Sequence, residues 1–267
     1  MKIFIFFVLF SFCNGLDIVK PSIYNKNYHN IDNWIMSEKL DGIRAIWTGK
    51  ELLTKNGNKI NVPEFYTKDF PSFMLDGELW TQRDDFENIQ SIVLSQNSSK
   101  FWENISYNIF EVPNQVGNFY SRLKILEDFL KNNPNKFIKI ISQIKIANKE
   151  HINKFMDEIL KNKGEGIIIR NPFLDYEKGR SQNILKVKTF FDVEGEVISY
   201  NYNKNKLFKS LNLKLKDGTI FKLGGGFSNK DRENPPKIGS YVTFKYYGLT
   251  KNNKPKFASF LRVREKE

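Results

Sequence analysis

The sequence predicts an α+β protein with two domains, and three observations support this fold class. The chain has 267 residues, of which 40% are hydrophobic and 27% are charged, as in globular proteins. Residues 34–188 combine short apolar strands with two or three amphipathic helices. From residue 193 onwards, apolar and polar residues alternate in short stretches, which indicates a second, all-β domain. We therefore expect a first domain at residues 16–190 and a second at residues 191–267.

Two helices of the first domain can be assigned from their capping residues. Ser121 is a candidate N-cap for a helix that carries Leu123 and Leu126 on one face. Asn148 is a candidate N-cap for a second amphipathic helix, and Gly164 follows its last apolar residues. The spacing of the apolar residues predicts that both helices pack against a core.

The second domain has the pattern of a small barrel. Its strand-like stretches lie at residues 193–200, 211–215, 219–223, 241–246 and 257–263. Lys216-Asp217-Gly218 is a hairpin turn signal, and the three glycines at residues 224–226 mark a bend. Five strands within about 75 residues fit a five-stranded OB-fold, a closed barrel that often binds oligonucleotides.

Residues 1–15 have the three-part form of a secretory signal peptide. Lys2 supplies positive charge, residues 3–12 are almost entirely apolar, and small residues around Gly15 precede a plausible cleavage site at Leu16. A buried first strand and an uncleaved membrane anchor are the alternatives. Cleavage would remove Cys13, the only cysteine, and so exclude disulfides and cysteine–zinc sites. We predict export, with no membrane attachment of the mature form.

The charge of the chain favours a polyanionic partner. Lysine and arginine outnumber aspartate and glutamate by 42 to 30, which gives a net charge of +12 and points first to nucleic acid. A genome-wide bias in composition would produce the same surplus. The two histidines have no cysteine partners, so no histidine metal site or histidine-based triad is indicated. The sequence also lacks the Gly-x-x-x-x-Gly-Lys loop of P-loop enzymes.

One short segment contains a candidate nucleophile. The residues from Ser37 to Arg44 join two strand-like stretches and place Lys39 two residues before an Asp-Gly pair. A lysine at such a position acts as a nucleophile if neighbouring cations lower its pKa enough to leave some neutral amine. Alone, the pattern favours a lysine before an ordinary Asp-Gly turn.

Four further clusters bear on this alternative. They are Asp76-Gly77-Glu78 at the end of an apolar strand, Phe110 within another strand, Glu165 at the start of a third, and Lys186 with Lys188 on one strand face. Each also has a structural reading, as a turn, a core residue or a solvated face. Together they supply everything that nucleotidyl transfer requires: a nucleophile, Mg²⁺ ligands at Glu78 and Glu165, cations for the phosphoryl group, and a ring for adenine.

These clusters, taken in order, resemble the motifs of the covalent nucleotidyltransferase superfamily, and specifically of minimal periplasmic ATP-dependent DNA ligases. The resemblance implies an N-terminal adenylation domain followed by an OB-fold domain. It also implies that Lys39 becomes AMP-lysine within a motif that includes Asp41. Glu38 would then contact adenine, and Arg44 would contact the ribose and later the nick. The remaining nucleotide contacts would come from Glu78, Phe110, Lys186 and Lys188.

The resemblance further implies a set of DNA contacts, at Lys55, Arg180, Arg262 and Arg264. Lys55 replaces the arginine usual in its segment, which keeps the charge but loses a bidentate phosphate contact. Residues 260–265 resemble the C-terminal motif that orients the departing pyrophosphate, although Lys266-Glu267 replaces its usual Asp-Lys ending.

The implied function is ATP-dependent sealing of nicks in duplex DNA by a periplasmic monomer. The implied cofactors are ATP, as donor of AMP, and Mg²⁺, with Mn²⁺ as a substitute. RNA ligation and RNA capping, which use the same lysine chemistry, are the alternatives within enzymes. An inactive DNA-binding relative is the alternative outside them.

Overall fold

The computed structural model describes residues 16–95, 99–188, 190–250 and 252–264. The chain divides into two compact units between Val187 and Lys188, close to the boundary expected at residues 190 and 191. The signal peptide predicted for residues 1–15 lies outside the described residues, as do the last three residues of the chain. Each unit is described separately below.

The first unit contains two five-stranded sheets and four α-helices among its described residues. In chain order the elements are β1 (Val19–Ile23), β2 (Ile35–Lys39), β3 (Ile43–Trp47), β4 (Leu52–Thr54), α1 (Glu64–Thr67), β5 (Leu75–Trp80), α2 (Phe86–Leu94), a 3₁₀ helix (Ser99–Asn104), β6 (Ser106–Glu111), α3 (Phe119–Asn132), β7 (Ile138–Ile140), β8 (Ile144–Lys145), α4 (Lys149–Lys161), β9 (Gly166–Arg170) and β10 (Gly179–Val187).

Sheet A has the strand order β1-β10-β9-β2-β8, and sheet B has the order β4-β3-β5-β6-β7. Parallel pairing occurs between β1 and β10 and between β6 and β7, and the other strand pairs are antiparallel. The chain passes from sheet A to sheet B between β2 and β3, at the segment that carries the predicted nucleophile. The sheet order therefore places that segment at the junction of the two sheets.

Each sheet has its own apolar core. Helix α4 packs Ile152, Met156 and Ile159 into a cluster with Met36 and Ile169 of sheet A. A second cluster joins sheet B to α1, α2, α3 and the 3₁₀ helix, and its largest fully buried members are Tyr66, Trp102, Tyr107 and Phe119. Burial of these large side chains, at about 25 cal/mol per Å² of apolar surface, fixes both sheets as rigid supports for the residues between them.

The two predicted helices are present, and one of their two predicted caps is correct. Asn148 caps α4, since its side chain accepts a hydrogen bond from the backbone N–H of His151. The prediction that Ser121 caps α3 is wrong. The cap is Asn118, whose side chain accepts from the backbone N–H of Ser121 at 3.1 Å, so the helix begins three residues earlier than predicted, at Phe119. Asparagine and serine are comparable caps, and capping propensity alone does not separate them.

The second unit is the predicted five-stranded domain. Its elements are β11 (Phe191–Tyr202), β12 (Phe208–Lys214), β13 (Ile220–Leu223), α5 (Asn229–Glu233), β14 (Tyr241–Tyr246) and β15 (Ser259–Val263). The strand order is β13-β12-β11-β14-β15, and a parallel bridge between Gly225 and Ser259 connects the segment after β13 to β15. This bridge brings the two ends of the sheet together around a core that includes Val197, Leu211 and Phe244.

Two details of the second unit bear on the predicted turns and strands. Gly218 has a φ of +86° and closes the β12–β13 hairpin, as the Lys-Asp-Gly signal predicts. The strand predicted at residues 257–263 begins only at Ser259, because Phe257 has a φ of +53°, which is outside the extended region. In the described parts of both units, every helix is too short or too polar to cross a lipid bilayer.

Candidate active site

The candidate nucleophile is held where sheet A meets sheet B. Lys39 is the last residue of β2 and pairs in register with Gly166 of β9. Three residues later Gly42 passes close to β5, where a Cβ atom would lie 2.2 Å from the carbonyl oxygen of Leu79. The Asp-Gly pair therefore provides a close backbone approach between the two sheets, which explains why glycine occupies this position.

The Lys39 side chain pairs with a carboxylate. Its ammonium group contacts the carboxylate of Glu165, the residue that immediately precedes β9, and one quarter of the lysine side chain is exposed. Burial lowers the pKa of Lys39, but the nearby charges of Glu165 and Glu78 outweigh it, so the net shift is upward. The prediction that neighbouring cations lower this pKa is wrong, because the neighbours are carboxylates. Lys39 is protonated in this state.

Strand β5 carries two carboxylates on one face. Asp76 and Glu78 lie within β5, and the prediction that they end an apolar strand is wrong, because Gly77 continues the strand. Backbone atoms of β6 leave no room for a side chain there: a Cβ at Gly77 would lie 2.6 Å from the carbonyl oxygen of Asn108. Alternation along a strand therefore places Asp76 and Glu78 on the same side, two residues apart, and facing the junction of the sheets.

Each of these carboxylates has a separate partner. Asp76 is fully buried and accepts from the Nε of Arg44 at 2.9 Å. Glu78 accepts from the backbone N–H of Gly42 at 3.2 Å. Burial raises the pKa of Glu78 to about 7, since the charge of Glu165 adds to this effect and the opposing charge of Lys39 does not cancel it. Two carboxylates thus lie near Lys39, and the charge of Glu165 disfavours ionisation of Glu78.

A pocket opens beside Lys39 within the first unit. Its apolar wall includes Phe110, Ile141 and Ile168, and its charged residues include Lys39 and Arg44. The guanidinium carbon of Arg44 lies 5.3 Å from the centroid of the Phe110 ring. An aromatic ring and branched aliphatic side chains suit the faces of a planar base, and the cations suit phosphate. The pocket thus gathers Lys39, Glu38, Arg44, Glu78 and Phe110.

Sequence reasoning missed a buried ionic cluster behind this pocket. Glu111 at the end of β6 is paired with Arg122 of α3 and with Arg170 at the end of β9. Arg122 donates from Nε and Nη2 to the two carboxylate oxygens at 2.8 and 3.0 Å. Arg170 lines the pocket, and its Nη2 donates to the backbone carbonyl of Phe110 at 3.2 Å. Charged residues at the ends of two buried strands were the only signal for this cluster.

A second missed residue holds Glu38. Both oxygens of the Glu38 carboxylate accept from Arg83, in the segment between β5 and α2, at 2.7 Å each. The Arg83 side chain is 36% exposed, so this pair lies at the surface of the site. In this arrangement the carboxylate of Glu38 is engaged by an arginine. Contact between Glu38 and adenine therefore stays a prediction.

The other predicted site residues lie on the surfaces of the two units. Lys55 is exposed in the turn after β4, and Arg180 donates to the backbone carbonyl of Pro21 at 2.8 Å. Lys186 lies in β10 opposite Ile168, but β10 ends at Val187 and does not include Lys188. In the second unit, the Lys188 ammonium lies 5.5 Å from the Tyr247 ring centroid and 5.8 Å from that of Phe257.

The two arginines predicted near the C-terminus are exposed on β15 or directly after it. Arg262 is within β15, and Arg264 follows it and pairs with Glu194 of β11 at 2.6 Å. Across residues 16–95, 99–188, 190–250 and 252–264, no three or more His, Cys, Asp or Glu side chains cluster closely enough to hold a metal ion. Any metal bound at Glu78 and Glu165 would therefore need further ligands from a substrate or water.

Comparisons with known proteins identify the family. The sequence model of the ATP dependent DNA ligase domain matches residues 20–188, more than half of the chain, and the model of the DNA ligase OB-like domain matches residues 203–264. The chain belongs to the ATP-dependent DNA ligase family. A DNA ligase of Haemophilus influenzae is 40% identical over 259 residues, which cover 96% of this chain and 95% of that protein.

Solved structures of the family have the same fold. A structure from a structure–function analysis of Lig E DNA ligases, on DNA binding with a minimal scaffold, is 40% identical and has a TM-score of 0.87. The match covers 92% of this chain and 98% of the chain in that structure. The Chlorella virus DNA ligase-adenylate is 23% identical with a TM-score of 0.56, over 94% of this chain and 99% of its own, and shares the fold. The predicted fold class, an adenylation domain followed by an OB-fold, is thus confirmed.

Proposed function

We propose that this chain seals nicks in duplex DNA with ATP, through an AMP adduct on Lys39. The observation that carries the proposal is the position of Lys39 in the pocket lined by Phe110 and Ile168, between the carboxylates of Glu78 and Glu165. This arrangement puts an amine next to a base-sized apolar wall in a protein of the ligase family. The amine, the wall and the acids are what transfer of an adenylate to lysine requires.

The reaction has three transfers. The neutral amine of Lys39 attacks the α-phosphate of ATP, so that a P–N bond forms and the bond to pyrophosphate breaks. The adenylate then passes to the 5′-phosphate at a nick, and the lysine amine is released. Finally the 3′-hydroxyl attacks the activated phosphate, a phosphodiester forms and AMP leaves. Each transfer depends mainly on positioning and on charge stabilisation.

The first transfer requires a proton to leave Lys39. Because Lys39 is protonated and its ammonium group donates to Glu165, the Glu165 carboxylate is the group placed to accept that proton. Arg44 is fixed by Asp76 and by the backbone carbonyl of Val19, which accepts from its Nη2 at 2.9 Å. Because Arg44 is already held in one orientation, its contact with the nucleotide would cost little side-chain conformational entropy.

A divalent cation fits the acids of this site. Mg²⁺ is commonly held by one or two carboxylates together with substrate phosphates, and the carboxyl group of Glu78 is disfavoured in its charged form by burial and by the charge of Glu165. Glu78 and Glu165 would both hold Mg²⁺, or Mn²⁺ in its place, and the bound ion would neutralise charge on the phosphate oxygens. We propose that Lys186 and Lys188 add positive charge for the same purpose.

The DNA contacts follow from charge and exposure. Lys55, Arg180, Arg262 and Arg264 are exposed, and the chain has a net charge of +12. Binding through phosphate contacts should weaken steeply as salt is raised. The enzyme is proposed to act as a monomer. Comparing nicked DNA with nicked RNA and hybrid duplexes in one sealing assay tests the alternative of RNA ligation.

The direct test of the proposed function is mass spectrometry after incubation with ATP and Mg²⁺. The protein should gain the mass of one AMP, and Lys39→Ala should abolish the gain. The same variant should still seal DNA that already carries a 5′-adenylate, because the last transfer uses no lysine adduct. Lys145→Ala, which removes an exposed lysine on β8, should label normally. Labelling that survives Lys39→Ala would refute the assignment.

We also propose that the protein is exported to the periplasm. The proposal rests on the charged, apolar and small-residue segments of residues 1–15. Within the described part of the chain the first strand is β1, which begins at Val19, so cleavage before Leu16 would leave β1 whole. N-terminal sequencing of the native protein should find a start near Leu16. An active enzyme that retains Met1 in the cytoplasm would contradict export and leave the ligase proposal unaffected.

A further inference from the structure

Gln143 occupies a position in the nucleotide pocket that the sequence motifs do not include. It lies between β7 and β8 and lines the same pocket as Phe110 and Ile168. The pairing of Met36 with Ile144, continued by one residue, places Gln143 beside Ser37. Ser37 in turn pairs with Ile168 on the other side of β2. Gln143 therefore extends the row of sheet A that supplies the aliphatic wall of the pocket.

The polar side chains that line the pocket are mostly charged, and two of them are uncharged. Its charged residues are Glu38, Lys39, Arg44, Glu78 and Arg170, whereas its uncharged polar side chains are those of Ser37 and Gln143. A purine base is flat and apolar on both faces, and its polar groups lie along its edge and carry no net charge. A primary amide matches such an edge, since it can accept and donate hydrogen bonds without the cost of burying a charge.

The orientation of the Gln143 amide is fixed by the backbone. Its Nε2 donates to the carbonyl oxygen of Ile141 at 3.0 Å. Because a carbonyl oxygen only accepts, the amide nitrogen must face Ile141, and Oε1 is turned away from it. A reversed amide would place Oε1 against the carbonyl oxygen and lose this hydrogen bond. The side chain therefore presents an acceptor, and reversing it to present a donor costs energy.

We propose that Gln143 determines the base specificity of the adenylation reaction by accepting a hydrogen bond from the 6-amino group of ATP. Adenine has a donor at position 6, whereas 6-oxopurines such as hypoxanthine and guanine have an acceptor there. An oxygen fixed at Oε1 attracts the amino group and repels the oxo group. The inference rests on the proposed function, because it assigns a role in the pocket that holds ATP.

The test compares two donors on one protein. ATP and inosine triphosphate differ only at position 6 and in the proton on the adjacent N1 atom. Neither has the 2-amino group of guanine, which would add a steric effect. The rate of Lys39 labelling per unit of nucleotide concentration is measured for both, in wild type and in Gln143→Met. Methionine keeps the length of the side chain and removes the amide. The ratio of the two rates is independent of the fraction of active protein, so partial misfolding does not affect it.

The wild-type protein should prefer ATP, and Gln143→Met should reduce that preference by about tenfold or more, the effect of one hydrogen bond within a binding pocket. Most of the loss should be a higher KM for ATP, since the base edge is bound equally before and during phosphoryl transfer. The matched variant Gln90→Met, on the exposed face of α2, should keep the wild-type ratio.

Two results would overturn the inference: a wild-type protein that uses both donors equally, or an unchanged ratio in Gln143→Met with labelling intact. A wild-type protein that is labelled by neither nucleotide would count against the proposed function itself. The failure of the inference and the failure of the function it rests on are therefore distinguished in a single experiment.

Discussion

Two groups of charged side chains border the nucleotide pocket, and they are built differently. In the first, Glu111 is enclosed between Arg122 and Arg170, and the three side chains are 0, 2 and 7% exposed. In the second, Lys39 contacts Glu165 with Glu78 nearby, and Lys39 keeps 25% of its side chain exposed. The first group has two cations for one acid, and the second has two acids for one cation.

The two groups shift the pKa of their carboxyl groups in opposite directions, which indicates a structural role for the first group and a chemical role for the second. The pKa of Glu111 is lowered, because Arg170 and Arg122 outweigh the effect of burial, so its charge is favoured in the folded protein. The pKa of Glu78 is raised to about 7, which means that its charge is disfavoured until a cation arrives. A fully satisfied ionic cluster holds Phe110 and Arg170 in place, whereas an excess of acid beside Lys39 is suited to binding a metal and taking up a proton.

The largest effect is expected from breaking the supporting cluster. Arg122→Met removes one partner of a buried carboxylate and leaves polar groups without their hydrogen bonds. Breaking a buried ion pair in this way costs about 3–5 kcal/mol of unfolding free energy. Chemical denaturation followed by fluorescence measures it.

The matched control is Arg83→Met, the same change in the pair with Glu38. That pair is partly exposed, and such pairs contribute about 0–1 kcal/mol. If Arg83→Met destabilises the protein as much as Arg122→Met does, the distinction between the two kinds of ion pair disappears.

A smaller effect, on rate and not on stability, is expected at the reactive group. Glu165→Gln keeps the size of the side chain but cannot accept a proton from Lys39. The rate of Lys39 labelling should fall about a hundredfold or more, as for loss of a general base. The unfolding free energy should change by less than about 1 kcal/mol. Glu150→Gln, at an exposed site on α4, serves as the control and should label at the wild-type rate. Labelling at the wild-type rate by Glu165→Gln would assign the proton to another acceptor.

The smallest effect concerns pH. A carboxyl group with a folded pKa of about 7 and an ordinary pKa of 4.5 binds more protons in the folded state between these values. Its contribution to stability is therefore present at low pH and is lost as pH rises from 4.5 to 7. Glu78→Gln removes this loss. The free energy of unfolding of the variant, relative to that of the wild type, should therefore increase by about 1–3 kcal/mol between pH 5 and pH 8. Urea denaturation at both values measures the difference, and a difference that does not vary with pH would contradict the assignment.

Much of the fold follows from local sequence, and this is clearest in the second unit. The strand predicted at residues 241–246 coincides with β14, and Gly218 forms the expected turn, because alternation and turn residues act over a few neighbours. The two strand-like stretches on either side of Lys39 were also predicted, but the strands extend further than expected. Lys39 lies in β2 and Arg44 in β3, although both were assigned to the segment that joins the strands.

The electrostatics of the site could not be predicted in the same way. The pKa of Lys39 depends on Glu165, 126 residues later, which becomes its neighbour only through the pairing of β2 with β9. Arg122 was visible in the sequence merely as a residue of an amphipathic helix, and its partner Glu111 lies on a different element. Alternation tells which face of a strand a side chain occupies, but not which charge from another element will meet it there.

The strand order of sheet A has a consequence for how this protein folds. Among the described residues of the first unit, the first strand, β1, lies next to the last strand, β10, with Val19 opposite Gly179. Both β9 and β10 lie between β1 and β2, so the centre of the sheet is synthesised after its margins. Pairings of such high contact order form slowly, and β1 has no neighbour in sheet A until β10 is made. A chain cut within β10 would therefore keep β9, the strand that pairs with Lys39, but would lose the strand that joins β1 to the rest of sheet A.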